Sequence, residues 1–449
     1  MLRNICGTAY RSIFYQRKAY ANSSAVLVGK LGFAHSTQPA VDSQGIETNR
    51  MSQVANGQTG LLPPPKGLVA PINVPQKLLM GPGPTNVSPR VQQASGLQLI
   101  GHMHAETFQI MDEIKAGMQY AFQTKNQWTL VISGPGHLGM EAVLVNLLEP
   151  GDKVLIGVNG LWGKRAVDLA NRLGASPLAL EQEAGKSLSL DEIEQGLSKH
   201  KPKVLFLVHS ESSTGVMQPL VGVGDLCRKY DCLLVVDTVA SLGGVPFFMD
   251  DWKIDAVYTG SQKVIGAPPG LAPISFGPRA VEAIKSRKSP VKSYLLNMNE
   301  LTIQWQCGDP SIPRIYHHTP PVNLFYALRE ALAELTEEGL ENVWKRHAEA
   351  SARLHAGIRS LGLKLFVQNE SDRLPTVTTI LVPEGIDWKK VIQYLMEKHK
   401  IEIAGGLGPT VGKVFRIGVL GCNATPEKVD RVLQALKEGL EFAKLQGHL

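Results

Sequence analysis

Between about residues 120 and 280, short apolar runs alternate with stretches whose apolar residues recur at helical spacing. The runs Trp128–Ser133, Lys153–Val158, Lys203–His209, Cys232–Asp237, Ala256–Tyr258 and Leu271–Phe276 predict strands. Leu138–Leu148 and Leu161–Leu173 predict helices between them. Strands with little polar alternation are buried on both faces, and intervening helices are the crossovers of a parallel sheet. In such sheets ligands sit beyond the carboxyl ends of the strands. After residue 320 the pattern changes. A long helical stretch from Leu324 to about Leu361 is followed by runs at Leu363–Val367 and Thr376–Val382, a helix at Trp388–His399, a strand at Val414–Leu420 and a terminal helix from Pro426. The fold class expected is α/β, with a large mostly parallel-sheet domain over 101–335 and a smaller α+β domain over 336–449. Residues 61–100, Pro-rich at LLPPPKG, read as an N-terminal arm, and residues 1–60 as a segment without a packed core.

Composition changes this picture mainly at the N-terminus. The 449 residues exceed what one core holds, and 43% hydrophobic with 19% charged residues is ordinary for a globular chain. No apolar run approaches the ~18–20 residues that span a bilayer, so no membrane is expected. Of the net charge of +6, five units come from Arg3, Arg11, Arg17, Lys18 and Lys30, with no acid before Asp42. The remainder is nearly neutral and leaves no basic footprint for nucleic acid. The basic, Ser- and Tyr-containing start fits a mitochondrial transit peptide, which places the protein in the matrix. Met51 offers a start that omits it. The C-terminal Gly447-His448-Leu449 only weakly resembles a peroxisomal tripeptide, so the peroxisome is the weaker alternative. Cys6, Cys227, Cys232, Cys307 and Cys422 are odd in number and lack metal-finger spacing, so reduced thiols are expected, with no metal.

Three features carry chemistry. SGPGHLGMEAVLVNLL, from Ser133, joins a strand end to a Gly-rich turn and a helix start near Gly136 or His137. Free N–H groups and the helix dipole there suit a phosphate, although such a turn alone is more often only a turn. VVDTVASLGG places Asp237 at the end of an apolar strand. That is a common helix cap, and also a site for holding a cationic ring nitrogen. YTGSQKVIGAPPG places Lys263 among small and apolar residues, where desolvation lowers its pKa and allows a Schiff base. A phosphate turn, an acid at a strand end and a lysine 26 residues after it are together the parts that pyridoxal phosphate needs.

With GPGPTN, QIMDEIKAG, ESSTGV, VASLGG, GSQK, APPG, YHHT, RLPTVTT and GGLGP in place from about Leu78 onwards, the chain resembles the alanine–glyoxylate (serine–pyruvate) aminotransferases, class V members of the fold type I pyridoxal-phosphate enzymes. The resemblance implies that Lys263 bonds the cofactor as a Schiff base and carries the substrate proton. It implies that Asp237 pairs with the pyridine nitrogen, that Trp162 and Val239 pack on the two ring faces, and that Gly136, His137, Ser212 and Gln262 hold the phosphate and ring edge. Tyr316 and Thr319 of YHHT are implied to reach the cofactor of the partner subunit in a homodimer. Arg416, which without this resemblance reads as an edge-strand arginine facing water, is implied to grip the substrate carboxylate in bidentate fashion, with Gly83 beside it. Two departures stand out. Pro135 replaces the usual Ser before Gly-His and removes an N–H and a hydroxyl, and Ser210 stands where Gly is usual.

The implied reaction is a two-stage ping-pong transfer from a small amino acid, alanine or serine, to a small 2-oxo acid, glyoxylate or pyruvate. Alternatives are a 3-hydroxykynurenine transaminase of the same family, towards which His104-Ala105-Glu106 leans, another fold type I activity such as a kynureninase or cysteine desulfurase, and a non-catalytic relative, for which Pro135 is the one support.

Overall fold

The computed structural model describes residues 62–445. The transit-like segment, Met51, Cys6 and the C-terminal tripeptide lie outside them. Described residues 62–74 belong to a separate unit and carry one short turn at Lys66–Leu68. The second unit begins at Pro75.

Seven strands build its main sheet: β1 (Trp128–Ser133), β2 (Lys153–Val158), β3 (Ser176–Glu181), β4 (Val204–Val208), β5 (Leu233–Asp237), β6 (Ala256–Tyr258) and β7 (Leu271–Phe276). Their order is β1-β7-β6-β5-β4-β2-β3. All neighbours run parallel except β7, which is antiparallel to both β1 and β6. β4 and β5 are buried at every position, as their unbroken apolar sequences require with cover on both faces. The helix Gly136–Leu147 begins two residues before its expected start at Leu138, and Leu161–Arg172 begins at the expected residue. β3 had no counterpart in the sequence reading. It is an edge strand, SPLALE, with a proline and half-exposed positions, and so lacks a continuous apolar run.

A second core holds a three-stranded antiparallel sheet of β8 (Val377–Leu381), β9 (Ala404–Gly405) and β10 (Val414–Gly418), in the order β8-β10-β9. Helices Leu340–Ser360 and Pro426–Leu445 supply much of its apolar cluster. Met80 joins this cluster because Leu78–Leu79 pairs in parallel with Ile401–Glu402. The long helix expected from Leu324 is two helices, Val322–Glu338 and Leu340–Ser360. Gly339, at φ +80°, turns the chain between them. The helix expected over Trp388–His399 ends at Tyr394 and passes into a π turn, Leu395–His399. Leu363–Val367 forms no ladder, only a single bridge from Leu365 to Ile380.

Candidate active site

The carboxyl ends of β1, β5 and β6 face a cavity of about 210 Å³. Gly136, His137, Trp162, Ser212, Asp237, Val239, Gln262 and Lys263 all line it, so eight of the residues singled out from the sequence meet in one place. Each arrives from a strand end or the turn after it.

Asp237 closes β5, and the β5–β6 register sets it beside Tyr258. Its carboxylate accepts the Tyr258 hydroxyl at 2.5 Å and the Val239 N–H at 2.8 Å. Burial pushes its pKa up to about 6, against the pull of these two donors. Lys263 follows β6 by five residues. Its amine donates to the carbonyl of Pro82 and lies 3.4 Å from that of Gly83. Burial, and then the charge of Arg416, lower the Lys263 pKa to about 8, with Asp237 opposing. A lysine of ordinary pKa stays protonated until about pH 10.4. Lys263 loses its proton through pH 8 instead. Acylation of ligand-free protein by an amine reagent is therefore expected to rise at Lys263 between about pH 7 and 9, as followed by peptide mass spectrometry. A rise only above pH 10 at that peptide would refute the lowered value. Gly83 adopts φ +100°, and a Cβ there would stand 2.4 Å from Lys263 Cδ. Only glycine leaves the lysine its place.

The turn between β1 and the helix Gly136–Leu147 forms the far wall. Pro135 is its N-cap and supplies no side-chain cap. The N–H groups of Gly136 and His137 have no intrahelical acceptor, whereas Leu138 N–H bonds the Pro135 carbonyl at 2.7 Å. The missing proline N–H thus lies one residue before the anion-suited donors. A hydroxyl at this position is lost. Ser210 lines the same cavity and accepts the Ala240 N–H at 3.0 Å. The Trp162 indole donates to Ser212 Oγ at 3.0 Å.

Arg416 sits in β10, the central strand of its sheet, and is 8% exposed. The water-facing edge position is thereby corrected. Its guanidinium donates to the carbonyls of Gly405 at 2.7 Å and Ser212 at 3.2 Å. Burial lowers its pKa to about 10, still high enough to keep the charge at neutral pH. Tyr316 and Thr319 do not enter this cavity. They bond each other at 2.9 Å, and Tyr316 is 57% exposed. Their segment is tied to the end of β1 through His318 Nε2 and Ser133 Oγ at 2.7 Å.

Two residues escaped the sequence reading. Tyr258 reads as a core aromatic in AVYTG, and only strand pairing reveals its bond to Asp237. Glu211, inside ESST, is wholly buried behind Trp162.

The cavity fits pyridoxal phosphate. Two buried polar atoms on its wall, His137 Nδ1 and Gln262 Oε1, have no partner in the protein, so the site expects a polar occupant. An acceptor carboxylate, a desolvated amine and free helix N-terminal N–H groups match a ring nitrogen, an aldehyde and a phosphate in turn. Among the described residues no cluster of His, Cys, Asp and Glu suits a metal, and no helix is long and apolar enough to cross a membrane. Cys227, Cys232 and Cys307 are buried and free, and burial pushes the Cys307 thiol up to about 12. None of the described cysteines lines the cavity, unlike the thiol a desulfurase needs.

Known proteins agree with this geometry. The family model for aminotransferase class-V matches residues 90–432. The alanine–glyoxylate aminotransferase of Callithrix jacchus is 55% identical over 381 residues, 85% of this chain and 92% of its own. That of Drosophila melanogaster is 53% identical over 385 residues, 86% of this chain and 97% of its own. A crystal structure of alanine–glyoxylate aminotransferase from Nostoc sp. superposes with a TM-score of 0.80 at 44% identity, covering 86% of this chain and 99% of that one. The chain belongs to the class-V aminotransferases, fold type I enzymes that carry out transamination with pyridoxal phosphate.

Proposed function

We propose that the chain transfers the amino group of alanine, or serine, to glyoxylate, or pyruvate, in two half-reactions at this cavity. The observation that carries the substrate reading is Arg416. It is a buried guanidinium whose charge reaches Lys263 and which makes no ion pair among the described residues. One carboxylate anchor serves a small amino acid and a small 2-oxo acid, neither of which brings a second charge for another cation to hold. Relatives named for alanine and glyoxylate support the same choice over the kynurenine alternative.

When bound, pyridoxal phosphate supplies an electron sink for the substrate Cα. The protein does the rest. Lys263 holds the cofactor aldehyde, and its amine, once released, takes and returns the Cα proton. A lowered pKa makes it a base at neutral to mildly alkaline pH. Asp237 keeps the ring nitrogen protonated. Trp162 and Val239 bracket the ring, and Gly136, His137, Ser212 and Gln262 hold its phosphate and edge. Arg416 fixes the substrate carboxylate, with Gly83 leaving room beside Lys263.

Tyr316 and Thr319 of one subunit complete the cavity of the other in a homodimer. Their exposure, and that of Met103 and Tyr294, supports an interface. Sedimentation showing only monomers would remove this reading. Two separate apolar clusters support a division into large and small domains near 335/336, with the first cluster reaching Val343 and the second taking in Met80. The acid-free basic start supports import into the mitochondrial matrix, which fractionation of tagged full-length protein tests.

A donor and acceptor panel on purified protein with added cofactor tests the substrates. Alanine with glyoxylate is expected to turn over fastest, with serine second as donor. Faster turnover of 3-hydroxykynurenine would assign the chain to the other branch of the family.

A further inference from the structure

Behind the cavity wall lies an acid that the proposed reaction does not use. Glu211 is 0% exposed and makes no direct salt bridge among the described residues, although its charge reaches the Arg416 guanidinium. Its Oε2 accepts the Trp162 N–H at 2.9 Å, at the first turn of the helix Leu161–Arg172. Its Oε1 accepts both the N–H and the hydroxyl of Ser213, at 3.0 and 2.6 Å. The Ser213 hydroxyl in turn accepts the Leu161 N–H at 2.9 Å. The carboxylate and Ser213 therefore cap this helix from another segment of the chain, where Gly160 offers no side chain to do so. Gly160 itself is needed, since a Cβ there would fall 2.2 Å from Glu211 Cδ.

Every bonded neighbour of Glu211 is a donor, which is the partner set of a carboxylate. Burial pushes its pKa up, and the donors from Ser213, Trp162 and Gly163 resist that rise. A negative charge at a helix N-terminus meets the positive end of the dipole. What it holds is the backbone of Trp162, whose indole is then fixed at its other end by Ser212. The ring is thus clamped from both sides while it lines the cavity.

We propose that Glu211 is a positioning residue, a remote helix cap that sets the Trp162 ring for cofactor binding through the backbone of the helix it caps. The inference rests on the reading that Trp162 packs against the cofactor.

A double-substitution cycle on the full chain tests it, read by absorbance titration of the apoprotein with pyridoxal phosphate. Glu211→Gln is expected to weaken binding by about tenfold, because an amide nitrogen confronts N–H donors where a carboxylate oxygen accepted them. Trp162→Leu weakens it as well. The pair together is expected to cost little more than the larger single change, because both remove the same ring contact. Full additivity overturns the inference, since Glu211 then acts on the fold at large. Unchanged affinity in Glu211→Gln overturns it too. Unchanged affinity in Trp162→Leu removes the placement of the indole against the cofactor, and the inference with it, so the two failures are told apart. Should Glu211→Gln not fold, Ser213→Ala enters the same cycle under the same criteria, because it removes one donor to Glu211 and the acceptor of Leu161.

Discussion

Replacing Lys263 with alanine is expected to lower the transamination rate by about 10⁴-fold, at the upper end of what a positioned general base contributes. The amine is the one group of the cavity that combines desolvation, a pKa lowered to about 8 and nearness to the carbonyls of Pro82 and Gly83. No other lysine lines the cavity. Folding is not expected to suffer, because a lysine held in a dry site costs stability rather than adding it. Thermal unfolding at or above the wild-type midpoint, together with loss of turnover in the alanine–glyoxylate assay, is the combination predicted. Retention of more than about a tenth of the wild-type rate would show that another group moves the proton.

The second large effect is expected at Asp237. Exchanging it for asparagine keeps the shape and an acceptor for the Val239 N–H, but removes the charge. A buried partner charge is worth about 3 kcal/mol or more, which corresponds to a fall in kcat of about 10²-fold. The loss is expected on kcat rather than on the KM of the amino donor, because the proposed role of Asp237 is at the ring nitrogen and not at the substrate carboxylate. Steady-state kinetics separate the two. A raised KM with unchanged kcat would place Asp237 in ground-state binding instead.

Much of this was readable in the chain, for a physical reason. β2, β4 and β5 are covered on both faces, so their sequences are continuous apolar runs that end in turns. Asp237 stood out because a charged residue at the end of such a run is placed there at a cost, and Lys263 because it lies among small and apolar residues rather than among other charges. The edge strand β3 was lost, because half-exposed positions and Pro177 blur its pattern. The break at Gly339 was lost because apolar periodicity continues through it, and only the positive φ turns the chain. Glu211 and Tyr258 were missed for another reason. Each acts on a residue distant in sequence, Trp162 or Asp237, and no local pattern encodes that meeting. Arg416 was legible as an arginine in an apolar strand, but only the order β8-β10-β9 shows that the strand is central.

The most direct test of the account is to find where the cofactor attaches. Purified protein saturated with pyridoxal phosphate would be reduced with borohydride, digested and analysed by mass spectrometry. The account predicts the reduced cofactor on the peptide that carries Lys263, and on no other. A label on a different lysine, or no label on a protein that still turns over alanine and glyoxylate, would contradict it.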